Sequence, residues 1–131
     1  VSIAEVEYGL QIAPSIDAKR QATVRREMAG FKVLDIDQHT AMTYAEIRAN
    51  LFRTYAPKNR RGRITQRYIE DIVERTTGKE LGIQENDLWI VSVAIQYNLI
   101  FVTKDRMLRV IEAAEYSERT EYWNQDSLKL W

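Results

Sequence analysis

The stretch Gly82-Ile83-Gln84-Glu85-Asn86-Asp87-Leu88-Trp89-Ile90-Val91-Ser92-Val93-Ala94-Ile95 is followed, after Gln96-Tyr97-Asn98, by Leu99-Ile100-Phe101-Val102-Thr103-Lys104-Asp105. From Leu88 to Ile95 apolar residues fill nearly every position, so periodicity alone does not separate a buried helix from a buried strand. The flanks separate them. Asn86 is of a helix-capping type, Asn98 suits a helix exit, and the span covers about three turns. The segment therefore reads as a buried helix. Leu99 to Thr103 reads as a strand apolar on both faces, the pattern of a parallel sheet. One acid, Asp87, sits in the first turn of that helix, and another, Asp105, follows the strand.

Upstream, Ile3, Val6 and Leu10 recur at helical spacing, and Ser2 with Glu5 makes a capping-box pattern, so residues 2–12 read as a helix ended by Pro14. A second helix spans about 15–29 and closes at Gly30. Phe31 to Ile36 has the β-branched content of a short strand. Asp37 then caps a helix over about 38–55, whose apolar stripe is Ala41, Tyr44, Ala45, Ile47, Leu51 and Phe52. Pro57 breaks it, 58–63 is a basic loop, and 64–77 is expected as a further helix. Downstream, Asp105 opens a helix to about 115, and Thr120 to Asn124 reads as a last strand. Helix and strand alternate, which argues for an α/β fold.

A chain of 131 residues suffices for one domain, here 1–131, and is too short for two well-cored ones. Nineteen Lys+Arg balance nineteen Asp+Glu, which argues against a globally basic nucleic-acid wrapper or a polybasic membrane binder. The absence of cysteine removes disulfides, thiolate metal sites and cysteine nucleophiles. The longest apolar run falls far short of the ~20 residues of a membrane span, and no signal-peptide pattern opens the chain, so a cytoplasmic protein with no membrane partner is expected.

In open parallel α/β sheets, ligands collect outside the C-terminal ends of the strands. Two desolvated carboxylates there, Asp87 and Asp105, repel each other unless a cation intervenes. All-oxygen donors without cysteine favour Mg²⁺ or Mn²⁺ over zinc. An equally ordinary reading makes both residues first-turn acids favoured by the helix dipole.

Three motifs together resemble a known family. They are Ile3-Ala4-Glu5-Val6-Glu7-Tyr8-Gly9, Glu85-Asn86-Asp87-Leu88-Trp89-Ile90-Val91 with Ala94, and Phe101-Val102-Thr103-Lys104-Asp105. In this order they resemble the motifs of PIN-domain nucleases, most closely the VapC-like toxins of type II toxin–antitoxin pairs. The resemblance implies a three-layer fold whose central, mostly parallel sheet is flanked by helices. It implies a metal-dependent endoribonuclease in which Glu5, Asp87 and Asp105 hold Mg²⁺ or Mn²⁺, with Thr103 bonded to a carboxylate or water. It also implies RNA as substrate, a VapB-like antitoxin as partner, and a homodimer. The family's leading strand, which ends D-T-N and carries a catalytic Asp, has no counterpart in these residues. The expectation is therefore a domain lacking its first strand, that segment being supplied from outside this sequence. Relative to compact members, 53–80 reads as a helical insertion with a basic loop.

Arg53, Lys58, Arg60, Arg61, Arg63 and Arg67 put six cations and no acid into fifteen residues. Arg60, Arg61, Arg63 and Lys104 are candidates for substrate phosphates, although such a run is also an ordinary solvated loop. Tyr55 and Tyr68 flank the run as possible stacking platforms, Tyr68 equally fitting its own helix stripe. Glu85 is a weaker ligand candidate, His39 reads as structural, and Trp89, Trp123 and Trp131 as packing residues. Two rivals remain. One is a catalytically incomplete PIN-like binding module acting through RNA or a protein. The other is a haloacid-dehalogenase-type phosphatase, suggested by Asp35-Ile36-Asp37-Gln38-His39-Thr40, with its Thr one residue too far along.

Overall fold

The computed structural model describes residues 2–14, 17–74 and 77–123. The chain divides into two compact units, residues 1–35 and 36–131. The first holds α1 (Ser2–Gln11) and α2 (Ala18–Ala29). Ser2 lies inside α1 rather than capping it. Asp17 caps α2, its carboxylate accepting from the backbone N–H groups of Lys19 and Arg20. The two helices are tied by Arg25, whose guanidinium meets the Glu7 carboxylate at 2.6 and 3.0 Å. Gln21 adds a bond from its amide to the Leu10 carbonyl at 2.8 Å. No described side chain in this unit is fully buried.

The second unit carries the core. In order it contains α3 (Gln38–Tyr55), a short 3₁₀ turn (Ile69–Asp71), α4 (Glu85–Gln96), β1 (Phe101–Thr103), α5 (Leu108–Ala113), a second 3₁₀ turn (Ser117–Arg119) and β2 (Thr120–Tyr122). Ile47 and Leu51 of α3 meet Leu88 and Val91 of α4, with Val110 and Ile111 of α5 and the loop residues Ile69, Ile72, Leu81 and Ile83 completing the cluster. β1 and β2 pair in parallel, with Phe101 opposite Thr120 and Thr103 opposite Tyr122. The long connection between them runs through α5, as a parallel pair requires. The Tyr116 hydroxyl donates to the carbonyls of Ala94 and Leu99, pinning this crossover to the end of α4. Asn98, at φ 51°, takes the left-handed conformation that lets the chain leave α4 for β1.

Four expectations are corrected. Residues 31–36 form no strand: Phe31 and Val33 are exposed, and no described segment pairs with this backbone. The described residues of 64–77 form no α-helix. Instead Lys58 bridges Ile64 and Val73 bridges Glu80, each antiparallel, with the 3₁₀ turn between them. Ile64, Thr65, Ile69, Ile72 and Val73 are all β-branched and disfavour a helix, and Ile69 and Ile72 serve as plugs for the core. The segment expected as a helical insertion at 53–80 thus begins in the last turn of α3, and its described residues beyond Tyr55 are looped apart from the 3₁₀ turn. α4 begins at Glu85, so Asn86 lies within the helix and does not cap it. Asp105 does not open α5, which starts three residues later at Leu108. Asn124 and Trp131, in the expected last strand and among the packing tryptophans, lie outside the described residues.

Candidate active site

Asp87 stands half-buried in the first turn of α4, directly before the buried Leu88. Its position is set by helix packing: Leu88 and Val91 face the core, which turns Asp87 to the margin of the apolar face. Asp105 lies beyond the C-terminal end of β1, in the exposed connection to α5. Thr103 shapes that connection. Its hydroxyl accepts from the Asp105 backbone N–H at 3.0 Å and donates to the Asp105 carbonyl at 3.3 Å. The Thr103 carbonyl is meanwhile held by the Trp123 N–H at 3.0 Å. Thr103 therefore presents Asp105 through its backbone, and Lys104 is displayed in the same turn, exposed. Glu5 lies exposed on α1, in the first unit.

The three carboxylates are all oxygen donors, suited to a hard cation such as Mg²⁺ or Mn²⁺. Among the described residues no group of three or more His, Cys, Asp or Glu side chains is gathered closely enough to hold a metal ion. The match to a divalent cation is therefore one of donor type, and Asp87 and Asp105 are the two of the three that share the larger unit.

Glu85 has a different occupation. It accepts from the Tyr44 hydroxyl at 3.1 Å, and that hydroxyl accepts from Arg48 at 2.8 Å. Arg48 is in turn paired with Glu70 at 2.8 Å. The Tyr44 ring stacks on Trp89, centroids 3.9 Å apart. Burial, and then the Glu85 carboxylate, raise the Tyr44 pKa above its ordinary value. This chain of contacts locks the first turn of α4 to α3 beside Asp87. The sequence carried only a faint signal of it, the Tyr44–Arg48 spacing of four on one helix face.

His39 is exposed, its backbone N–H given to Asp37. Asp37 itself is a helix cap: it accepts from His39 and Thr40 at 2.8 and 3.1 Å and from the Gln96 amide at 2.8 Å. Thr40, fully buried, completes a capping box and also donates to the Gln96 side-chain oxygen. With no strand before Asp35, and with the Asp37 carboxylate engaged in capping α3, the Asp35–Thr40 stretch does not form a phosphatase loop at a strand end. Tyr68 is exposed and Trp123 borders on exposed, so neither is a packing residue. Trp89 is half-buried against Tyr44.

Arg60, Arg61 and Arg63 crowd the tip of the small hairpin closed by the Lys58–Ile64 bridge. Arg109, which the sequence did not single out, reaches across to the insertion. It donates to the Leu81 carbonyl at 2.9 Å and to Glu74 at 3.1 Å, and lies 5.8 Å over the Tyr55 ring. Nothing in the local sequence around Arg109 announces these contacts, because its partners are 28 and 35 residues away.

No helix among the described residues is long and apolar enough to cross a membrane. A search of curated proteins found no match, and a search of solved structures found none either. A comparison with protein families matches the PIN domain over residues 1–114. That span takes in the three acids, the helix α4 that carries Asp87 and the strand β1 that Asp105 follows, while β2 at Thr120–Tyr122 lies beyond it. The chain belongs to the PIN-domain family.

Proposed function

We propose that this protein is a metal-dependent endoribonuclease and the toxin of a toxin–antitoxin pair. PIN domains are a nuclease superfamily and generally use divalent metal ions. The observation that carries the reading is that a chain matched by that family has an acid in the first turn of α4, Asp87, and another just past the end of β1, Asp105. Asp87 and Asp105, which share the larger unit, are the proposed ligands of Mg²⁺ or Mn²⁺. When bound, such an ion activates water and neutralises charge developing on the phosphoryl oxygens.

The chain's own residues do the positioning. The Thr103 hydroxyl fixes the backbone around Asp105. The Tyr44–Trp89 stack and the Tyr44–Glu85 bond hold the first turn of α4, and with it Asp87. Lys104, between Thr103 and Asp105, is available to an RNA phosphate. A VapB-like antitoxin, a homodimer and a cytoplasmic location belong to the same proposal.

Asp87→Asn and Asp105→Asn are each expected to abolish Mg²⁺- or Mn²⁺-dependent RNA cleavage by the intact protein while leaving its circular dichroism and melting temperature unchanged. Full cleavage by either variant would remove that residue from the site. Calorimetric titration with Mn²⁺ addresses the second reading, a binding module without catalysis. Heat of binding that Asp87→Asn removes supports the nuclease, and the absence of any heat supports the module.

A further inference from the structure

Away from the carboxylates, the described residues contain a concavity. It lies where α3 ends and the insertion begins, and its volume is about 430 Å³. That falls within the roughly 300–1,000 Å³ typical of small-molecule sites. Arg53, Tyr55, Lys58, Val73, Glu74 and Leu81 are among its lining. Arg109 braces three of these at once, through the Leu81 carbonyl, the Glu74 carboxylate and the Tyr55 ring. The lining carries two cations, Arg53 and Lys58, and one acid, Glu74, which is paired with Arg109 from outside the lining. An aromatic and aliphatic wall with cations in the lining suits a base and its phosphate.

The hairpin that rises from this pocket is built to display charge. The Asn59 side-chain oxygen accepts from the backbone N–H groups of Arg61 and Arg63 at 2.9 and 3.0 Å. The Asn59 N–H donates to the Arg63 carbonyl at 2.8 Å, and the Gly62 N–H to the Asn59 carbonyl at 2.9 Å. Gly62, at φ 73°, supplies the left-handed residue that closes the turn. Arg60, Arg61 and Arg63 are exposed, and among the described residues none of them forms an ion pair. A merely solvated basic loop does not require an organised tip beside a braced pocket.

We propose that the pocket at the foot of the 58–64 hairpin is a nucleotide-binding subsite for single-stranded RNA, with phosphates flanking the bound nucleotide lying along Arg60, Arg61 and Arg63. The inference rests on the nuclease reading for its choice of RNA. A single strand is specified because a paired base is stacked away and cannot enter a pocket, whereas an unpaired one can be splayed out onto an aromatic wall. An acidic protein surface would engage the hairpin but leaves the pocket unused.

The test uses the intact protein in EDTA, so that binding is read without cleavage, and a labelled, unstructured oligoribonucleotide followed by fluorescence anisotropy. The Arg60→Gln, Arg61→Gln, Arg63→Gln triple variant should weaken binding by about tenfold or more and reduce the slope of log K against log salt by ~2. Arg53→Gln should reduce that slope by ~0.7. The same RNA annealed to its complement should bind more weakly. Adenosine 5′-monophosphate, titrated by NMR, should shift resonances of residues 53–58 and 73–74 and 81, and less so in Arg53→Gln. Unchanged affinity in the triple variant, equal binding of the duplex, or mononucleotide shifts confined elsewhere would each overturn the subsite. Cleavage assays run in parallel keep the two readings apart. If Asp87→Asn abolishes cleavage while the hairpin variants bind RNA normally, the nuclease reading stands and the subsite fails. If binding depends on the hairpin but cleavage does not depend on Asp87, the subsite stands and the assignment of Asp87 fails.

Discussion

At the scale of single residues, Asp37 shows how one carboxylate in a suggestive motif is claimed by structure. Its oxygens take two backbone N–H groups at the start of α3 and the Gln96 amide from the far end of α4. The backbone bond from Thr40 is the chief cause of a pKa lowered from the ordinary 3.8. A folded-state pKa below the unfolded one means the unfolded chain binds more protons, so stability rises with pH through this range. Asp37's contribution is complete above the ordinary value and is lost as pH falls through the folded one. Asp37→Ala should therefore lower the melting temperature at neutral pH, and the gap from the parent should close as the solution is made acidic below pH 3.8. Asp37→Asn, which can still cap, should lose less. A gap that widened on acidification would contradict this role. Glu85 carries the same lesson: beside Asp87 it reads as a ligand, yet its hydrogen bond goes to Tyr44.

At the scale of elements, α4 is the best-read part of the chain and the most consequential. Its all-round apolar sequence is met by burial of Leu88, Val91, Ser92 and Ala94, and the hydroxyl of Ser92 is satisfied by the Leu88 carbonyl at 2.6 Å. Leu88→Ala should cost about 2–5 kcal/mol, because the cavity sits where α4 meets α3 and the insertion. Denaturant unfolding with an unchanged m-value would measure it, and a loss well under 1 kcal/mol would show that the helix repacks. The insertion was the hardest element to read. Its apolar residues fall at spacings that also fit a helix, but Ile69 and Ile72 bury at the two ends of one 3₁₀ turn, Ile69 opening it and Ile72 following it in extended conformation. Its backbone is bonded across two small hairpins, Glu74 N–H to Lys79 carbonyl among them.

At the scale of the whole molecule, the two units differ in how much they bury. Residues 36–131 hold every buried apolar side chain described, whereas α1 and α2 rest on capping and on the exposed Glu7–Arg25 pair. Exposed ion pairs contribute little to stability. Amides of 18–29 should accordingly exchange with deuterium faster than those of α3 and α4, read by mass spectrometry of the intact protein. Equal protection in both would show that the first unit draws stability from elsewhere.

The order of α1, α2, α3, α4, β1 and β2, the α/β class, the family and the strand-end position of Asp105 were all legible in the chain. Each depends on local propensity, on capping chemistry, or on apolar patterns within a dozen residues. Other features were not legible there: the absence of a strand at 31–36, the looped course beyond Tyr55, the tie between Glu85 and Tyr44, and the pocket braced by Arg109. A strand exists only where a distant backbone pairs with it, and an irregular segment takes its shape from hydrogen bonds that span tens of residues. Those partners are chosen by the folded core, so local sequence is silent about them.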